Sequence, residues 1–250
     1  MASIGGAALA VALLALGRWP DVTLAAIPWG LGLGALGAGS LFLLYRGLAL
    51  GPIAVVSPIV ASYSAFTVIL VVVLLGERLS VEQAVAICAV FVGVLLATAD
   101  LRALAASIRR PLPGVPISIV ATIGFACWGT LFAAGARQHD GMALVLMNRA
   151  GGAVILAAAV VALRARRPSD TRASTLALLA TVGVLDTFSN VLFMLGIQGG
   201  NAAITVTGSG LYPILPAFLG IVRHGERLAP NQYVGIAVVV GGMVALGIRG

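Results

Sequence analysis

About nine stretches of this chain stay apolar for most of the roughly 20 residues a helix needs to cross a bilayer. They cover residues 2–16, 24–46, 53–75, 81–98, 115–136, 142–163, 174–197, 202–222 and 232–248. Inside hydrocarbon every backbone N–H and C=O must find a partner within the protein, so such runs fold as helices or as a closed barrel. A barrel would alternate polar and apolar residues over segments of about ten. These runs are continuous, and no strand pattern competes. Only 9% of the residues are charged and 60% are hydrophobic, against about 25% charged in soluble domains. The fold class expected is an all-α, polytopic membrane bundle.

A duplication organises the bundle. Gly76-Glu77-Arg78-Leu79 returns 149 residues later as Gly225-Glu226-Arg227-Leu228. The same offset matches Gly47 with Gly196, Gly51 with Gly200, Tyr63 with Tyr212, Gln83 with Gln232 and Gly93 with Gly242. About 15 of roughly 54 aligned positions are identical, the mark of an internal repeat. The polar break with Arg102, Arg109, Arg110, Pro111 and Pro113 separates the halves. The expected organisation is a repeat of four helices over 1–100, a linker over 101–114 and a repeat of five helices over 115–250. Gly5-Gly6-Ala7 matches Gly151-Gly152-Ala153, so the helix over 115–136 has no partner in the first half. The expectation is that a leading helix has been lost or that translation starts upstream of Met1. An odd number of helices per unit inserts the two halves in opposite orientations.

The net charge of +7 comes from arginine. The loops after even-numbered helices hold Arg46, Arg102, Arg109, Arg110, Arg164, Arg166, Arg167, Arg172, Arg223 and Arg227, and the opposite face holds Arg18, Arg78, Arg137 and Arg249. The positive-inside rule puts the first set in the cytoplasm and the C-terminus outside. Short arginine loops between apolar runs point to a membrane, not to nucleic acid. Cys88 and Cys127 fall inside apolar runs, without metal or redox spacing, and read as buried thiols.

From Leu48-Ala49-Leu50-Gly51-Pro52 through Pro58 to Gly76-Glu77-Arg78-Leu79, the sequence resembles the third and fourth helices of EamA-type proteins of the drug/metabolite transporter superfamily. Asn201-Ala202-Ala203 through Leu228 resembles the same signature in the second half. Arg149 is similar to the arginine often found near the start of that family's second helix. The resemblance implies ten helices in two five-helix repeats, and a secondary transporter, often an exporter of amino acids, metabolites or drugs. It also implies an internal C-terminus, against the arginine bias.

Asp186 falls near the middle of an apolar run, where a carboxylate costs about 2.5–3.5 kcal/mol on insertion scales. Gly183, Asp186, Ser189 and Asn190 share one side at helical spacing. One reading is a polar stripe facing a cavity, with Asp186 binding a cation or carrying a proton. The other is an Asp, protonated or paired with Arg, that holds two helices together. The matched position in the first half is Gly37. Arg149, beside Asn148, either neutralises a substrate carboxylate or reaches for the interface. Tyr63 and Tyr212, matched by the repeat, each offer a ring and a hydroxyl near the midplane, or simply pack. Trp128 sits too deep for the interfacial belt and is a further cavity candidate. Pro58, Pro213 and Pro216 predict kinks, with Ser57, Ser62, Thr205, Thr207 and Ser209 placed to satisfy freed backbone groups. Gly76, Glu77, Arg78, Gly225, Glu226 and Arg227 read as a structural motif at helix ends. Gly allows the tight turn there, and the acid complements the dipole of the next helix.

No Walker loop, metal cluster or Ser-His-Asp set can be placed, so no cofactor, metal or enzymatic activity is expected. The function expected is secondary transport, by alternating access and outward, of small metabolites, amino acids or drug-like molecules. Its partners are a substrate, the lipid bilayer and a second copy in a homodimer, and its place is the cell membrane. Two rivals stand: a non-transporting truncated homologue or accessory subunit, and a membrane enzyme acting on lipids or isoprenoids.

Overall fold

The computed structural model describes residues 2–98, 113–162, 172–211 and 229–249. Among these the secondary structure is helical. The elements are α1 (Ala2–Ala15), α2 (Ala26–Leu50), α3 (Ile53–Ala61), α4 (Tyr63–Leu75), α5 (Val81–Thr98), α6 (Gly114–Gln138), α7 (Gly141–Ala162), α8 (Ala173–Gly199), α9 (Ala202–Ser209) and α10 (Pro230–Arg249). Seven helices are long and apolar enough to cross a membrane, with Val55–Leu75 counted as one, while α1 is shorter. Residues 101–112 of the expected linker and the second half of the span over 202–222 lie outside the described residues, and Gly114, the expected linker's last residue, opens α6.

Two spans differ from expectation: the helix in the span over 202–222 ends at Ser209, and the span over 53–75 is divided. Residues 53–75 form two helices, broken at Ser62. Pro58 lies inside α3, and the break comes one turn later. There the Ser62 hydroxyl donates to the Ile59 carbonyl at 2.6 Å and the Ser62 N–H is shared between the Pro58 and Ile59 carbonyls. Hydroxyl back-bonding of this kind bends helices. Thr205, Thr207 and Ser209 donate in the same way to Asn201, Ala203 and Val206.

The chain clusters into two compact units, and each draws on both sequence halves. Unit 1 is Met1–Ala38 with Leu131–Gly199, and unit 2 is Gly39–Thr130 with Gly200–Gly250. The boundaries fall inside α2 and α6.

In unit 2, α5 packs along α10 through glycines. A Cβ on Gly93 would lie 2.8 Å from the Gly235 carbonyl oxygen and 2.9 Å from the Val239 nitrogen. A Cβ on Gly242 would lie 2.7 Å from Val90 Cγ2 and 3.1 Å from the Ala86 carbonyl oxygen. The 149-residue offset carries Gly93, Ala86 and Val90 onto Gly242, Gly235 and Val239. The two sets of contacts therefore exchange, as a pseudo-two-fold axis requires. Rising numbers on α5 meet falling numbers on α10, so the helices are antiparallel. Two antiparallel spans related by a two-fold axis belong to repeats of inverted topology.

Unit 1 repeats the relation. Gly5 of α1 meets Gly183 and Thr187 of α8, and Gly34 of α2 meets Gly151 and Gly152 of α7. Gly151 is the repeat mate of Gly5, and Gly183 that of Gly34. At these points backbone touches backbone, the packing small residues permit where lipid gives no hydrophobic drive.

The repeated tetrad acts at one helix start. Gly76 is left-handed at φ 67° and closes α4. Glu77 then accepts from the Ala202 N–H at 2.6 Å, and Asn201 accepts from the Ile204 N–H at 3.1 Å. The acid thus serves α9, in the other half. The start of α5 has its own capping box, in which Ser80 and Gln83 exchange backbone-to-side-chain bonds of 3.0 and 3.1 Å. The repeat mate Gln232 accepts from Ala229 at 2.9 Å. Gly225, Glu226 and Arg227 lie outside the described residues.

Candidate functional site

The two charges placed in mid-membrane by the sequence meet in unit 1. α7 begins at the Asp140 cap, whose carboxylate accepts from the Ala143 N–H at 2.8 Å. It carries Asn148 and Arg149 in its third turn. α8 carries Asp186 and Asn190. Arg149 Nη1 donates to Asp186 Oδ2, and Nη2 donates to the Asp186 carbonyl at 3.4 Å. Asn190 Nδ2 donates to that same carbonyl at 2.8 Å, and Asn148 Nδ2 reaches Asn190 Oδ1 at 3.5 Å. Arg149 is buried within this cluster, not extended to an interface. Its side chain is 10% accessible and that of Asp186 is 52%. Across α1, α7 and α8 these two are the only ionisable side chains.

Asp186 and Ser189 lie on the accessible side of α8, while Gly183, Thr187, Asn190, Met194 and Ile197 form its buried stripe. The polar residues expected on one face are therefore divided. Thr187 was not legible as a site residue beside the more conspicuous Asp186. Its signal is its spacing, one turn from both Gly183 and Asn190. It is 3% accessible, and its hydroxyl has no hydrogen-bond partner. The same is true of Arg149 Nε.

A cavity of about 290 Å³ opens beside the pair. Ser3, Gly6, Ala7 and Ala10 line it from one face of α1, and Trp19 from the turn region beyond. Leu146, Met147, Arg149, Ala150 and Ala153 line it from α7. The space exists because glycine and alanine stand where larger side chains would fill it. Arg149 is its one charged lining residue.

The remaining candidates lie elsewhere. Tyr63, in unit 2, packs its ring on Phe125 with centroids 5.6 Å apart, and its hydroxyl bonds the Ser209 side chain. Trp128 is half-buried in α6, also in unit 2. Tyr212, Pro213 and Pro216 lie outside the described residues.

An embedded ion pair on glycine-packed, membrane-length helices of inverted repeat defines a polytopic membrane protein with a polar centre. The profile of the EamA-like transporter family matches residues 1–99 and 112–248, and the chain belongs to that family. It is a multi-pass integral membrane protein and a membrane transporter of the drug/metabolite transporter superfamily. Among solved structures, one titled "Crystal structure of protein" is similar at a TM-score of 0.78 and 18% identity, over 100% of this chain and 86% of that one. No curated protein matches the chain.

Proposed function

We propose that this chain is a secondary transporter that moves a small metabolite, amino acid or drug-like molecule outward across the cytoplasmic membrane. It would work by alternating access, presenting a midplane site to one side and then the other. The observation that carries this reading is the Arg149–Asp186 pair, set in helices that hold no other ionisable side chain. Charges at membrane depth are costly and mark substrate or ion pathways. Arg149, Asp186 and Asn190 are the binding residues in this reading, with Asp186 as the coupling group. Tyr63, Trp128 and Tyr212 remain substrate-facing candidates in this reading. Among the described residues the scattered polar groups supply no nucleophile and base at one membrane face, which favours transport over lipid chemistry.

The test is uptake into inverted vesicles under an imposed pH gradient. The intact chain is expected to accumulate substrate, and Asp186→Asn is expected to lose the gradient dependence. Uptake unchanged by Asp186→Asn removes Asp186 from the mechanism, and no gradient-dependent uptake of any solute sinks the reading.

A further inference from the structure

α6 lies along one face of α2 and antiparallel to it. A Cβ on Gly124 of α6 would strike the Ser40 hydroxyl, and a Cβ on Gly47 would lie 2.6 Å from Ser118 Oγ. Further along, the Trp29 indole N–H donates to the Leu131 carbonyl at 3.2 Å. Small residues let the two backbones approach closely, which is how helices lock together in lipid.

The 149-residue offset carries α2 onto α8, and this face of α2 onto Val182, Leu185, Ser189, Leu192 and Gly196. α6 has no repeat mate among residues 1–100, and the matching face of α8 is open. Leu33 is 2% accessible, whereas its mate Val182 is 39% accessible. Ser40 is buried and Ser189 exposed, and Gly47 is buried and Gly196 half-buried. Leu36 and Leu43 are half-buried, and their mates Leu185 and Leu192 are exposed. At each pair the α8 member is the more open, as in a helix interface that lacks its second helix. The last turns of α6 touch α8 at Phe193 and Gln198 and leave Ser189 uncovered.

The neighbourhood of this face says what suits it. Asp186 lies about 60° round α8 from Ser189, and its side chain is half accessible. Hydrocarbon is a costly neighbour for a carboxylate, so a protein helix covers this face better than lipid chains do. Helices that lock through small residues associate without a covalent link.

We propose that the Val182–Gly196 face of α8 is the docking site for a transmembrane helix of a partner protein. That helix is apolar, runs antiparallel to α8 and carries small residues where α6 carries Ser118 and Gly124. The site goes beyond the transport reading, and its occupancy is measured without turnover.

The experiment is disulfide trapping on the full chain in phosphatidylcholine vesicles, with Cys88→Ser and Cys127→Ser as background. The probe is a synthetic peptide of residues 114–138 that carries Cys127→Ser and either Gly124→Cys or Ser118→Cys. The Gly124→Cys peptide is expected to link to Ser189→Cys in the chain, and the Ser118→Cys peptide to Gly196→Cys. The crossed pair, Gly124→Cys with Gly196→Cys, is out of register by about 10 Å and should not link. Leu195→Cys, exposed but about 120° round the helix from Ser189, should not link either. A cysteine-free peptide should compete, and the same peptide with Gly124→Leu should compete at least about tenfold less well. Substitutions in the peptide leave the chain's own folding untouched, so that comparison reads packing alone. No link at Ser189→Cys, an equal yield at Leu195→Cys, or equal competition by the Gly124→Leu peptide each overturn the proposal. So does a link at Ser40→Cys in place of Ser189→Cys, which would mean that the peptide only displaces α6 from α2. Ser189→Cys chains that link to one another despite the peptide would assign the face to a second copy and overturn it as well. Transport assays stand apart from every one of these outcomes, so the transporter reading survives or fails separately.

Discussion

Alanine at three glycines of unit 2 separates packing from helix propensity. Gly93→Ala puts a methyl 2.8 Å from Val239 Cγ2, 2.8 Å from the Gly235 carbonyl oxygen and 2.9 Å from the Val239 nitrogen. Ordinary carbon–carbon contact is about 3.5–4.0 Å, so α10 must retreat by roughly 0.7 Å. Two of the three obstacles are backbone atoms that no rotamer change can move. Overpacking of this sort costs about 1–3 kcal/mol, here near the upper end. Replacing a mid-helix glycine returns about 1 kcal/mol, which leaves a net loss of about 2 kcal/mol. Gly242→Ala meets first the tip of Val90, at 2.7 Å. The backbone atoms there stand farther off than at Gly93, at 3.1 and 3.4 Å, so the strain is smaller and roughly cancels the propensity gain. Gly241, beside it in α10, has nothing within 4 Å of its Cβ position, and Gly241→Ala should gain about 1 kcal/mol. Thermal unfolding in detergent, followed by circular dichroism, reads the order. For a chain of this size about 2–4 °C corresponds to each kcal/mol. Gly93→Ala should melt about 4–8 °C below the parent, Gly242→Ala close to it and Gly241→Ala above it. Gly93→Ala as stable as the parent refutes the close α5–α10 contact at Gly93, and Gly242→Ala the least stable of the three refutes the ranking of backbone over side-chain obstacles.

The same assay checks two more residues. Glu77→Ala strips the cap from Ala202 at the start of α9 and should cost about 1–2 kcal/mol, whereas Glu77→Gln keeps an acceptor and should lose less; equal losses would mean that the bond to Ala202 is not what Glu77 contributes. Thr187→Val removes a buried hydroxyl that has no partner and should raise stability by about 1 kcal/mol, so a marked fall in melting temperature would reveal a bond formed by that hydroxyl in the folded protein.

The bounds of α5, α7 and α8 were readable because apolar runs end at polar turns, and Val81–Thr98 appears in the sequence as in the structure. The break at Ser62 was not, because Pro58 marks a weakened stretch while the hydroxyl bond to Ile59 decides where it yields. Arg149 and Asp186 were legible separately, since charge in an apolar run is conspicuous. Their pairing was one reading among several, because 37 residues of sequence separate them and spacing says nothing of how α7 rotates against α8. Thr187 escaped notice because threonine is unremarkable by composition; only the buried stripe from Gly183 to Ile197 gives it meaning. The division into units was hidden for a geometric reason. Repeat mates such as Gly93 and Gly242 pack in one shared interface, so spatial neighbours belong to different halves of the chain.

That mutual packing has an evolutionary corollary. Contacts that swap under the axis are those two copies of a half-length peptide would make by pairing through the same surface about a two-fold axis, where any change in one copy is forced on the other. Covalent fusion lifts that obligation. Asp186 stands opposite Gly37, and Arg149 opposite Ser3. A twin-copy ancestor would have had to accommodate two acids and two arginines around its axis. The fused gene keeps one of each, on one side only, and so has an asymmetric charge inside a symmetric frame.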